Sequence, residues 1–215
     1  MAVNGPNEWS ELREWLRSRI AHVDLVDFAD ADRGRLARAL TALLSALGDG
    51  HDDESDLAAA VVREELARGG AARADDVLRT HLAIALAART AEVRAITPDG
   101  ALVVTDARQW ARCHALADEI LALSPHPELN AFATDLRARL DRARRWRWVE
   151  PDVWTAAVVG LAVLVLPFVG GAIGDAAVTA AGVLVGGALV FGFVVAHRKR
   201  QWSVDAQAAF GRRGA

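Results

Sequence analysis

Residues 153–196 form a run of 44 in which Asp175 is the single ionisable side chain. Val153 to Gly174 holds 22 uncharged residues and Ala176 to Ala196 another 21. At about 1.5 Å per residue each part makes a helix of roughly 31–33 Å, close to the ~30 Å hydrocarbon core of a bilayer. One continuous helix would be about twice too long. The run therefore predicts a transmembrane hairpin over 153–197, with spans 153–171 and 176–196 and a turn at Gly170, Gly171, Gly174 and Asp175. Glycine admits backbone angles closed to other residues, and Asp175 is placed to cap the second helix. A carboxylate inside a membrane ordinarily suggests function, but at a turn it reaches water and marks a boundary. Pro167 is expected to kink or end the first span.

The flanks set an orientation. Arg142, Arg144, Arg145 and Arg147 precede the first span, and Arg198, Lys199 and Arg200 follow the second. By the positive-inside rule both termini are expected in the cytoplasm, with the short turn outside. Trp146, Trp148, Trp154 and Trp202 bracket the same boundary, where amphipathic indoles prefer to sit. The arginines also suit anionic lipid headgroups, so the bilayer is the first expected partner. In the second span Gly182 and Gly186 form a GxxxG motif, and Ala188 and Gly192 continue a ridge of small residues. Such a ridge lets another helix approach closely, either the first span through Ala156 and Gly160 or a second copy of the chain in a homo-oligomer.

Charge separates the anchor from the rest. Residues 1–140 hold 23 acidic against 16 basic side chains, whereas 141–215 hold 5 against 9. The first segment thus has no basic face suited to nucleic acid. Cys113 is the sole cysteine, which excludes an intrachain disulfide and a cysteine-cluster metal site. The N-terminus lacks the basic and apolar regions of a secretory signal. Lys199 is the single lysine among 25 basic residues, in a chain rich in Ala, Val, Leu and Gly. That composition suggests high-GC coding and a bacterial source, hence an inner-membrane location.

Residues 1–140 read as a cytosolic all-α bundle of five to six amphipathic helices. Trp9, Leu12, Leu16 and Ile20 share one side of the first, and Leu36, Leu40, Leu43, Leu44 and Leu47 one side of the second. A third begins at Ser55 or Asp56 and ends at Gly69-Gly70, and a longer one runs from Asp75 or Asp76 to about Ile96. Ala101–Val104 is the one segment expected to be extended. Asp106 caps a helix with Trp110, Cys113, Leu116 and Ile120 inward, and the last helix runs from Glu128 past Leu136 and Leu140. Residues 115–140 resemble, over less than one repeat, the helix–Pro–helix joint of a tetratricopeptide repeat. No second copy occurs at a period near 34, so antiparallel helical hairpins are what the resemblance implies. Residues 141–152 form a basic, Trp-rich juxtamembrane segment, and 198–215 a short cytosolic tail.

Chemistry is thinly signalled. Asp49, Asp52, Asp53, Glu54 and Asp56 crowd around His51, but their spacing does not match a calcium loop. Cys113 and His114 are about 100° apart on a helix and do not face one metal easily. No phosphate-binding loop, nucleophile elbow or zinc helix is present. No cofactor, metal or catalytic residue is expected. The reading is a non-enzymatic membrane protein presenting a helical adaptor or sensor domain to a protein partner. The alternative is a membrane-disrupting effector whose hairpins oligomerise on a cytosolic signal.

Overall fold

A computed structural model describes residues 8–20, 23–48, 54–98, 100–123 and 126–210. The chain is all-α and divides into two compact units, one of residues 1–144 with 202–215, the other of residues 145–201. Of the acidic cluster around His51, Asp49, Asp52 and Asp53 lie outside the described residues, as does His51 itself.

The first unit is built around one helix. Helix α4 (Ala72–Val93) is buried at every position from His81 to Ala91, so it has no solvent face along that length. A helix buried all round must be enclosed by others. Here α1 (Glu8–Ile20), α2 (Asp30–Ala46), α3 (Glu54–Ala67), α5 (Ala107–Ala122) and α6 (Pro127–Arg144) all pack against it. Its alanines at 83, 85, 87, 88 and 91 let the neighbours approach closely. The surrounding helices are amphipathic. Leu12, Leu16 and Ile20 of α1, Cys113, Ala117 and Ile120 of α5, and Leu129, Ala133, Leu136 and Leu140 of α6 face inward at helical spacing. In α2 the inward set is Leu36, Ala39, Leu43 and Ala46. Leu44 is half exposed, because the stripe turns by about 100° per residue and cannot include both Leu43 and Leu44.

Helix ends are tied by charged side chains. Asp106 caps α5 through Arg108 N–H at 2.7 Å and Gln109 N–H at 2.8 Å. Helices α2 and α4 begin after Ala29 and Ala71, without a side-chain cap. Their first-turn acids Asp32 and Asp75 instead converge on Arg35, at 2.9 and 2.8 Å. Arg35 also donates to the carbonyl of Glu65 at the end of α3, so one buried guanidinium joins three helices. Arg13 and Arg17 of α1 donate to the carbonyls of Gly48 and Leu47 just past α2, where a cation complements the helix C-terminus.

Two short antiparallel pairs complete the topology. Strand β1 (Ala95–Ile96) pairs with β2 (Leu102–Val103), so α4 ends at Val93 and Ile96 is extended. Strand β3 (Trp146–Trp148) pairs with β4 (Arg198–Arg200) in the second unit. Between them run α7 (Val153–Ile173) and α8 (Ala176–His197). The chain ends its described part in α9 (Gln201–Phe210), where a short tail was expected. Trp202 accounts for this helix, because it packs against the core of the first unit.

Candidate functional site: the apolar hairpin and its basic, aromatic collar

Helices α7 and α8 are 21 and 22 residues long and are apolar enough to cross a membrane. Their large side chains stay exposed: Leu164 is 73% exposed, Phe168 76%, Leu184 74% and Phe191 71%. Contiguous apolar surface on this scale calls for an apolar environment. Helix α7 continues past Pro167, Gly170 and Gly171 to Ile173, which narrows the turn to Gly174 and Asp175. A proline inside a helix interrupts only local hydrogen bonds, and those glycines are not required to take unusual angles. Gly174 does, with φ +75°, and Asp175 accepts from Ala177 N–H at 2.8 Å and Val178 N–H at 3.2 Å as the cap of α8.

The small-residue ridge of α8 is used within the hairpin over part of its length. Gly182 and Gly186 are the buried residues of α8. A Cβ added to Gly186 would stand 3.7 Å from Cα and O of Val163. The helix facing the motif is therefore α7 at Val163, while Gly160 has nothing within 4 Å of a built Cβ. Ala188 and Gly192 lie on exposed parts of α8.

The base of the hairpin is a two-stranded clamp. Trp146 stands opposite Arg200, Arg147 opposite Lys199, and Trp148 opposite Arg198. Val149 N–H donates to His197 O and Gln201 N–H to Arg145 O, each at 2.9 Å, extending the ladder by one bond at both ends. Alternation places Trp146 and Trp148 on one face with Arg198 and Arg200. There the Arg200 guanidinium lies 4.0 Å from the Trp146 ring centroid and that of Arg198 5.8 Å. Trp148 stacks near His197 at 6.0 Å and Phe193 at 6.3 Å. On the other face Arg147 and Lys199 are directly opposed, an unfavourable pairing of like charges.

The remaining sequence candidates separate. Arg142 and Arg144 belong to the end of α6, where Arg144 lies 4.9 Å over the Trp110 ring. Trp202 lies 6.5 Å from Trp110 in the first unit, and Trp154, 78% exposed, opens α7. Cys113 is buried in α5 with its Sγ 3.6 Å from Thr90 O, and burial pushes its thiol up. His114 points instead to Asp118 at 3.1 Å. Among the described residues no group of three His, Cys, Asp or Glu side chains is placed to hold a metal. Sequence patterning missed the contributions of Phe193 and His197, because their partner Trp148 lies some 50 residues away.

These features define an all-α protein with two helices long and apolar enough to cross a membrane. Set against known family models, curated proteins and solved structures, the chain matches none.

Proposed function

We propose that the chain is an integral protein of a bacterial inner membrane, anchored by the α7–α8 hairpin and presenting its helical unit as an adaptor or sensor for a protein partner. The observation that carries the anchoring is the like-charged Arg147–Lys199 pair at the base of two exposed apolar helices. Anionic headgroups relieve that repulsion, and Trp146 and Trp148 are suited to the same interfacial layer. Because β3 and β4 are paired, both ends of the hairpin share one side, and their basic residues favour the cytoplasmic one. The partner-binding part rests on the packing of α1, α2, α3, α5 and α6 around α4, a build that offers helical surfaces for recognition. The effector alternative has less to draw on, since the GxxxG face is engaged with Val163.

Two measurements test this reading with the full chain. Single cysteines at Arg68 and Gly174 in a Cys113→Ala background are treated with a membrane-impermeant maleimide. Gly174→Cys should label on spheroplasts, and Arg68→Cys only after permeabilisation; the reverse pattern overturns the topology. Photo-cross-linking from mild detergent should enrich a defined protein over a chain lacking residues 1–140. No enrichment argues against the adaptor role.

A further inference from the structure

A cavity of about 380 Å³ opens in the first unit between α1, the end of α4 and α6. Its volume falls within the ~300–1,000 Å³ of small-molecule sites. Leu12, Trp15, Ala131, Phe132 and Leu136 supply apolar walls, with Trp15 and Phe132 in tilted contact at 5.9 Å. Both rings are half-buried and have free surface to give a ligand.

The charges around this cavity are unequally satisfied. Arg19 pairs with Glu128, and Arg139 with both Glu8 and Asp135. Glu8 also accepts from Leu102 N–H at 2.9 Å. Arg94 differs. It is 8% exposed, its Nε donates to Thr90 O at 2.9 Å, and among the described residues no carboxylate forms an ion pair with it. It stands between this cavity and a smaller one of about 140 Å³ that Trp202 borders. Burial holds the guanidinium below the usual arginine range; Cys113 and the already engaged Glu8 only partly compensate, and neighbouring Arg139 lowers it further. A guanidinium buried without a carboxylate partner is costly unless something supplies the counter-charge.

We propose that the α1–α4–α6 cavity binds a carboxylate borne on an apolar or aromatic body, with Arg94 receiving the anion and Trp15 and Phe132 covering the body. The planar fork of arginine matches a carboxylate with two parallel hydrogen bonds. A monoanion fits better than a doubly charged phosphate. One guanidinium is open, while Glu8, Glu128 and Asp135 rim the same space and repel a second negative charge. A small organic acid and the free C-terminus of an apolar peptide share this chemistry. The inference rests on the helical unit and does not depend on how the hairpin meets a membrane.

The test uses the full chain in lipid nanodiscs, with empty discs correcting for partition, and saturation-transfer NMR as the readout. The probes are 2-naphthoate, 2-naphthylmethanol, and the peptide acetyl-Ala-Leu-Phe as free acid and as amide. Naphthoate or the free-acid peptide should bind at least tenfold more tightly than its neutral counterpart. The tighter of the two acids identifies the source. Arg94→Met should abolish that preference, and Phe132→Ala should weaken both acids while leaving the fold intact. Arg94→Met should also raise the melting temperature by about 3 °C or more, since it removes an unpaired buried charge. Equal binding of acid and neutral probes, no binding of either acid, or a lowered melting temperature in Arg94→Met overturns the proposal.

Discussion

Gly186 of α8 packs on the backbone of Val163 in α7, with 3.7 Å between a built Cβ and the Val163 Cα. Ordinary van der Waals distance leaves room for a methyl group and for little more. Gly186→Ala should therefore be tolerated, whereas Gly186→Leu should cost about 1–3 kcal/mol by forcing the helices apart. The adjoining Gly187 has nothing within 4 Å, so Gly187→Leu serves as the control and should change little. Thermal unfolding of the three variants in the same detergent checks the contrast, and equal losses at 186 and 187 would remove the packing account.

Gly70 tests the Arg35 junction. A Cβ there would fall 1.7 Å from Arg35 Nη1 and 2.3 Å from Asp32 Oδ1, so the guanidinium must leave its acids. Gly70→Ala should destabilise by about 1–3 kcal/mol. Removing the partner outright, as in Arg35→Ala, leaves Asp32 and Asp75 facing each other without it and should cost about 3–5 kcal/mol. The double variant should lose little beyond Arg35→Ala, because both changes act on one interaction. Chemical denaturation by tryptophan fluorescence measures all three.

How much of this was legible in the sequence depends on distance along the chain. The spans, the Asp175 and Asp106 caps and most helical faces were readable, because each follows from residues within one or two turns. The Arg35 junction joins positions 32, 35, 65 and 75, and the Arg94 cavity joins 8–19, 94 and 128–139. No local pattern announces either. The β3–β4 clamp was hidden for another reason: Trp-Arg-Trp is too short for its alternation to mark a strand, Arg-Lys-Arg has none, and the two are paired across some 50 residues. Alanine-rich α4 concealed its central place, since small apolar residues give a weak amphipathic signal even when every face is buried.

His81 makes stability depend on pH. It is 1% exposed, neither ring nitrogen has a hydrogen-bond partner among the described residues, and burial lowers its pKa from 6.5 to about 4. The unfolded chain takes up a proton near pH 6.5, while the folded one resists until about pH 4. Stability is therefore full above pH 6.5 and falls as the pH drops toward 4, by about 3 kcal/mol in all. Glu65, held below the usual carboxylate range chiefly by its hydrogen bond to Arg38, adds a separate loss at lower pH. His81→Leu should flatten the curve between pH 6.5 and 4 and leave the more acidic limb. Unfolding free energies across that range decide it, and an unchanged slope would mean that His81 is solvated or paired.

Arg147 and Lys199 make the last prediction, because lipid composition should reverse its sign. In a neutral bilayer the two cations repel across the β3–β4 pair, so Lys199→Gln should stabilise the clamp by a few tenths of a kcal/mol, on the order of one cross-strand pair. In a bilayer rich in phosphatidylglycerol the same lysine is compensated by headgroups, each basic residue near the surface gaining about 1 kcal/mol. There Lys199→Gln should weaken anchoring. Replacing Arg200 instead removes a cation lying 4.0 Å from the Trp146 ring and should destabilise the clamp in both lipids. Hydrogen exchange at the Arg147 and Val149 amides, in neutral and anionic nanodiscs, reads the clamp directly. A Lys199→Gln effect of one sign in both lipids would show that the opposed pair has no headgroup between its charges.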